Sequence, residues 1–283
     1  MADKADPKPS TSARTKADLA SIVGMALAFG GILGGLVLEG GKIKDVAQVT
    51  AAMIVFGGTL GAVMVTTPLG VLIAALKRLK EVFFEQSRPA SAIVEDIVSY
   101  ASKARRNSIV SLESDLDKVD DPFLRKALTL AVDGTDLNAL RSIMELDIAL
   151  EEKASEAEAK VYEAAGGYAP TIGIIGAVLG LIQVMKHLEN IDEVGRGIAV
   201  AFVATVYGVA SANLIFLPAA NKLKARAHQA LHVKELMLQG VCSIVEGLNP
   251  KLIRVTLDAF VREKAGKEAK AEPAKAATAA AKS

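Results

Sequence analysis

Side chains that could move a proton or hold an ion are scarce in the most apolar stretches of this sequence. Between Glu163 and Lys186 the polar side chains are Tyr168, Thr171 and Gln183. Between Arg196 and Lys222 they include Thr205, Tyr207, Ser211 and Asn213. Hydroxyls and freed backbone carbonyls can line a wet path through a membrane. Serine and threonine hydroxyls can equally bond back to the carbonyl four residues earlier in their own helix. Neither stretch holds an Asp, Glu, Lys, Arg or His. Ion-carrying membrane proteins normally place an ionisable group within the bilayer. Either this chain conducts nothing, or a partner brings the carboxylate.

Other chemistry is excluded more simply. One cysteine, Cys242, cannot form an internal disulfide or a Cys-rich zinc site. Three histidines (His187, His228, His232) leave little for metal binding. There is no phosphate loop, no GxSxG elbow and no HExxH helix. No cofactor and no enzymatic activity are expected. A net charge of +1 excludes a strongly basic nucleic-acid binder.

Four charge-free runs must position the polar residues. They are Leu19–Leu38 (20 residues), Val46–Leu76 (31), Ala164–Met185 (22) and Gly197–Asn221 (25). Each reaches the ~20 residues that cross a bilayer. A mean hydropathy of +0.34 agrees. Aromatics are only 4% and there is no Trp, while glycines number 23. Small residues in that proportion suit close packing of membrane helices. The pairs Gly30/Gly34, Gly31/Gly35, Gly57/Gly61 and Gly176/Gly180 all fit GxxxG. They predict tight helix contacts, self-association included. The first run lacks the form of a cleaved signal peptide, being long and followed at once by a second span. Basic residues flank the runs on one side: Lys4, Lys8, Arg14 and Lys16; Lys77, Arg78 and Lys80; Lys222, Lys224 and Arg226. The positive-inside rule therefore puts both termini and the long connection in the cytoplasm.

The expected architecture is all-α, an integral membrane protein with four transmembrane helices and a helical cytoplasmic insert between the second and third. Residues 1–17 read as a disordered tail, 18–76 as spans one and two, and 77–163 as the cytoplasmic helical domain. Residues 164–221 read as spans three and four, 222–264 as C-terminal helices, and 265–283 as a disordered Ala/Lys-rich tail. Within the insert, Pro89 suits the first turn of a helix through Tyr100 and beyond. Asp121-Pro122 marks a turn, Gly134 a helix stop and Thr135 a cap. Leu137, Leu140, Met144 and Ile148 share one helical face, and that helix should run straight into the third span. Helical patterning over Ala225–Ile244 ends near Gly247, and Asn249-Pro250 starts a short helix through Val261.

These residues carry a resemblance. The stretch Tyr168-Ala-Pro170-Thr171-Ile-Gly-Ile-Ile-Gly176-Ala177-Val-Leu-Gly180-Leu-Ile resembles the third span of flagellar motor stator A subunits, the MotA/PomA family. So do Ala199-Val-Ala-Phe-Val-Ala-Thr205-Val-Tyr207-Gly, the segment Asn213-Leu-Ile-Phe-Leu-Pro218, the segment Ala104-Arg105-Arg106-Asn-Ser-Ile-Val-Ser-Leu-Glu113, and Glu246-Gly-Leu-Asn-Pro250. The likeness runs from about residue 18 to 263. It implies a homopentameric ring of A chains around two copies of a MotB-type B subunit in the inner membrane. The partner's single span would carry the ion-binding Asp. Ion flow would drive rotation against the rotor protein FliG. It also implies roles: Pro170 and Pro218 as the two functional prolines, Thr205 facing the ion path with Tyr207 nearby, and Arg105, Arg106 and Glu113 acting on the rotor. Sodium-driven members carry a threonine where this chain has Ala177. The alanine offers no oxygen ligand, which points to protons. An ExbB/TolQ-type energiser of the envelope and a non-conducting membrane scaffold are the alternatives.

Overall fold

The computed structural model describes residues 15–86 and 88–261. Most of the two expected disordered tails lies outside these residues. Almost all of the described chain is helical. Short turns join the helices, and a pair of three-residue strands, Thr15–Ala17 and Phe84–Gln86, forms a two-stranded ribbon.

The chain divides into two units, each assembled from separated segments. The span unit comprises Lys16–Glu85 and Glu152–Ala227. Among the described residues, the helical unit comprises Gln86–Glu151 and 228–261.

In the span unit, four helices are long and apolar enough to cross a membrane. The first, Leu19–Leu38, starts at Asp18, whose carboxylate accepts from the Ser21 N–H at 3.1 Å. It buries no residue against the rest of the chain. The second expected run does not form one helix. It gives a span over Val49–Thr66, stops, and resumes as Leu69–Arg78. Thr67 is extended (φ −128°, ψ 130°) because the ring of Pro68 disfavours helical backbone at the preceding residue. The resulting 18 residues are about 27 Å long, just the apolar thickness of a bilayer. The segment Leu69–Arg78 is amphipathic and buries Leu72 and Ala75. It is tied down where Tyr162 donates its hydroxyl to the Ala75 carbonyl at 3.0 Å. Arg78 adds bonds to Glu158 at 2.8 Å, Ser155 at 2.8 Å and Glu81 at 3.0 Å.

The third span belongs to one helix of 50 residues, Leu137–Lys186, as the sequence predicts. The fourth belongs to a helix of 55 residues, Ile191–Val245. Inside the latter, Ser211–Phe216 widens to a π-helix. The Leu217 N–H reaches back five residues to the Ala212 carbonyl. This widening lies just before Pro218, which has no N–H of its own to give the helix.

The helical unit is a packed helix cluster. Helix Ala90–Asn107 begins at Pro89, which occupies the cap position rather than the first turn. A 3₁₀ helix, Ile109–Lys118, follows. Helix Pro122–Val132 is capped by Asp121, which accepts from the Phe123 and Leu124 N–H groups at 2.9 and 3.0 Å. Asp121-Pro122 thus opens a helix, with Pro at the position that tolerates it. Gly134 ends that helix at φ +76°, a backbone that costs glycine nothing. The next cap is Asp136, not Thr135: its carboxylate takes the Asn138 N–H at 3.0 Å. Leu140 and Met144 are fully buried there, with Leu137 and Ile148 packed at the margin. Gly247, at φ +72°, and a final helix over 250–261 complete the unit.

Candidate functional site

The third and fourth spans meet along a seam of small residues. Gly173, Gly176 and Gly180 fall on one face of the third span. Gly197, Ala201, Ala204 and Gly208 fall on the facing side of the fourth. The approach is close enough to exclude any side chain. A Cβ on Gly180 would sit 2.7 Å from the Gly197 carbonyl oxygen and 2.7 Å from the Ala201 nitrogen. One on Gly208 would sit 2.6 Å from the Ala169 carbonyl oxygen, and one on Gly173 2.9 Å from that of Ala204. These neighbours are backbone atoms, so no rotamer change relieves the clash.

Pro170 is seated on this seam. The missing Cβ of Gly208 is what lets the fourth span approach, since it would lie 3.2 Å from the Pro170 Cα. Being inside a helix, Pro170 donates nothing to the Gly166 carbonyl four residues earlier. Pro218 lies elsewhere, exposed, facing the first span across an apolar cavity of about 390 Å³ that Met25, Phe83 and Leu214 also line. The two prolines therefore have different neighbours. Ala177 follows Gly176 and is half-buried.

The hydroxyls divide into two kinds. Thr205 donates to the Ala201 carbonyl at 3.2 Å, Thr171 to Tyr168 at 2.8 Å and Ser211 to Gly208 at 3.2 Å. Asn213 likewise donates to Val209 at 2.9 Å. All four satisfy themselves within their own helix. Tyr207 does not. Its hydroxyl donates to the Val46 carbonyl at 2.5 Å and accepts from the Gln48 N–H at 3.3 Å. Its ring leans on Phe56 with centroids 5.9 Å apart. Tyr207 thus fastens the entry of the second span to the fourth. Nothing in the sequence pairs a tyrosine with a loop about 160 residues earlier.

Asp18 is a second residue that sequence reasoning passed over. It bonds Lys222 at 2.5 Å and Arg226 at 2.6 Å, and only 10% of its side chain is exposed. The hydrogen bond from Lys222 holds its carboxyl below the usual carboxylate range. The signal was present as an acidic residue between Lys16 and a charge-free run, where the only local expectation is a helix cap.

In the helical unit, Arg105 and Arg106 lie exposed in the last turn of Ala90–Asn107. Glu113 is exposed on the 3₁₀ helix. Lys103 ties the two elements together, bonding Asp115 at 2.6 Å. That bond holds the Asp115 carboxyl below its ordinary range. Arg106 donates to the Ser102 carbonyl at 3.2 Å. Among the described residues Arg105 and Glu113 make no such bond, and both side chains are exposed.

Comparison with known proteins accounts for this arrangement. Residues 22–106 match the model of the motility protein A N-terminal family, and residues 115–236 match that of the MotA/TolQ/ExbB proton channel family. The chain is 36% identical to motility protein A of Bacillus subtilis, over 85% of this chain and 89% of that protein. It is 31% identical to the chemotaxis protein PomA of Vibrio alginolyticus, over 87% and 96%. Its fold is similar to that in the flagellar MotAB stator complex of Bacillus subtilis (TM-score 0.79, 35% identity, 89% of this chain and 99% of that one). It is similar also to the C. jejuni MotAB structure (TM-score 0.80, 30% identity, 86% and 95%). With a charge-free span pair sealed by glycine, the chain thus belongs to the motility protein A family, the A-type subunits of flagellar stators.

Proposed function

We propose that the chain forms, with a MotB-type partner, a proton channel of the bacterial inner membrane that turns ion flow into rotation. The observation that carries this is the absence of any ionisable residue from the seam between the third and fourth spans, in a fold shared with MotAB stators. An ion path here needs a carboxylate from outside the chain, and a one-span B subunit supplies one. Assembly as a homopentamer around two B chains would place several seams around that carboxylate. Both termini and the helical unit would face the cytoplasm. Pro170 would couple the charge state of the partner's carboxylate to the third helix, because a proline beside a closely packed backbone gives that helix a natural point of flexure. Pro218 would play the corresponding part on the fourth. Thr205 would face the path, with Tyr207 holding the second span in place. Arg105, Arg106 and Glu113 would engage the rotor protein FliG through their outward charges.

Protons rather than sodium are favoured by Ala177, which has no oxygen to offer a cation. The motility protein A relatives and the N-terminal family match favour this reading over an ExbB/TolQ-type energiser or a scaffold. Swimming speed measured with sodium replaced by potassium at constant pH tests it. Unchanged speed is the expected result. A stop in potassium that sodium reverses would sink the proton assignment. Normal swimming in a strain lacking the gene would sink the motor role.

A further inference from the structure

The helical unit contains a cavity that the rotor-facing charges do not explain. Its volume is about 320 Å³, twice the ~150 Å³ that holds a benzene molecule in a protein core. Most of its side chains are apolar, among them Ala101, Ala104, Ile109, Ala131, Ile244 and Leu248, with Thr135 adding a hydroxyl. Arg105 also lines it. Three helices end around it. Gly134 and Gly247 line it, and Ser108, which separates Arg105 from Ile109, is the only non-glycine with positive φ among the described residues. Ser108 sits at φ 76°, ψ 155°. That region is populated almost only by glycine and costs about 1–3 kcal/mol. A strained residue is tolerated where the surrounding structure imposes it, and such residues cluster at binding sites.

The polar surroundings narrow the occupant. Helix C-termini carry partial negative charge, but two of the three are closed by glycine caps. The Gly134 and Thr135 N–H groups donate to the Ala131 and Leu130 carbonyls, and those of Gly247 and Leu248 donate to the Ile244 and Ser243 carbonyls. The full charge at the rim is Arg105, which is exposed and makes no ion pair among the described residues. We infer that this cavity is a socket for the rotor partner. It receives an aliphatic side chain of a rotor helix, while a carboxylate one turn away on that helix bonds Arg105. Residues three or four apart on a helix lie side by side, so one partner helix can present both. The socket rests on the reading that Arg105 faces the rotor. It adds that docking needs shape as well as charge. A charged rim sets encounter and register, whereas a filled apolar centre holds the partner.

The test fills the socket without touching a charge. Ala104→Leu is made in the full stator, and fluorescent stator units recruited to motors are counted alongside the amount of complex in the membrane. Arg105→Glu is measured in parallel. The expected result is normal membrane abundance with recruitment reduced about tenfold in Ala104→Leu, equivalent to ~1.4 kcal/mol of docking energy. Full recruitment of Ala104→Leu with loss in Arg105→Glu overturns the socket and leaves the electrostatic reading standing. Full recruitment of both overturns the rotor reading and the socket with it. Should Ala104→Leu fail to accumulate, Leu248→Glu decides the matter. A carboxylate in the wall would take Arg105 for itself, and undiminished recruitment of that variant overturns the proposal.

Discussion

The first span and the third carry the same sequence signal and use it differently. Gly30, Gly31, Gly34 and Gly35 repeat the GxxxG spacing of Gly176 and Gly180. In the third span that spacing brings two backbones together, and a Cβ on Gly176 would meet the Ala204 Cβ at 2.7 Å. Around the first-span glycines a Cβ would meet nothing within 4 Å. The third span is therefore held by close packing along much of its length. The first is held at its end by the ion pairs of Asp18. A motif of small residues reports only that a close approach is permitted. Whether another helix takes the offer depends on what the rest of the chain puts beside it.

The comparison can be broken in three places. The largest effect is expected for Gly180→Val. The added atoms must push apart two backbones, and overpacking of this kind costs about 1–3 kcal/mol or more. Membrane abundance and swimming should both collapse, and a normally swimming variant would show that the seam is not needed. A smaller effect is expected for Asp18→Ala, which removes the carboxylate shared by Lys222 and Arg226 at a cost of about 1 kcal/mol, because Lys222 is exposed enough for water to replace its bond. Thermal stability of the purified complex should fall while some motility persists. An unchanged melting temperature would mean that the first span is anchored by something other than this clamp. The smallest effect within the chain belongs to Gly34→Val, with stability altered by no more than about 0.5 kcal/mol. If this variant accumulates in the membrane but no longer joins the stator complex, the first-span glycines serve contacts between chains.

Much of the fold could be read from the sequence because charge-free length is a coarse and robust signal. The runs at Leu19–Leu38, Ala164–Met185 and Gly197–Asn221 each coincide with or lie within a span helix. Helix stops at Gly134 and Gly247 were legible because a left-handed residue needs glycine. The second run misled because Pro68 carries no charge, and so a break fell inside an apolar stretch without changing its composition. The cap at Asp136 was misplaced by one residue, since Thr135 and Asp136 are both competent caps. Of the site, the position of Pro170 could be marked from sequence but not its neighbour, because Gly208 makes itself felt only by lacking a side chain. Tyr207 and Asp18 were invisible as fasteners for a plainer reason. Their partners lie 161 and 208 residues away in the chain, and local spacing carries no information across that distance.

That last separation bears on how the molecule is made. At about 5–20 residues per second, the ribosome reaches Arg226 some 10 to 40 seconds after Asp18. For that interval the first span sits in the bilayer before the charges that will anchor it exist. The span unit closes only when Lys222 and Arg226 arrive, and the helical unit needs its second segment later still. A truncated chain therefore has neither unit complete. In such a chain Asp18 has not yet met the Lys222 and Arg226 side chains that hold it in the finished subunit.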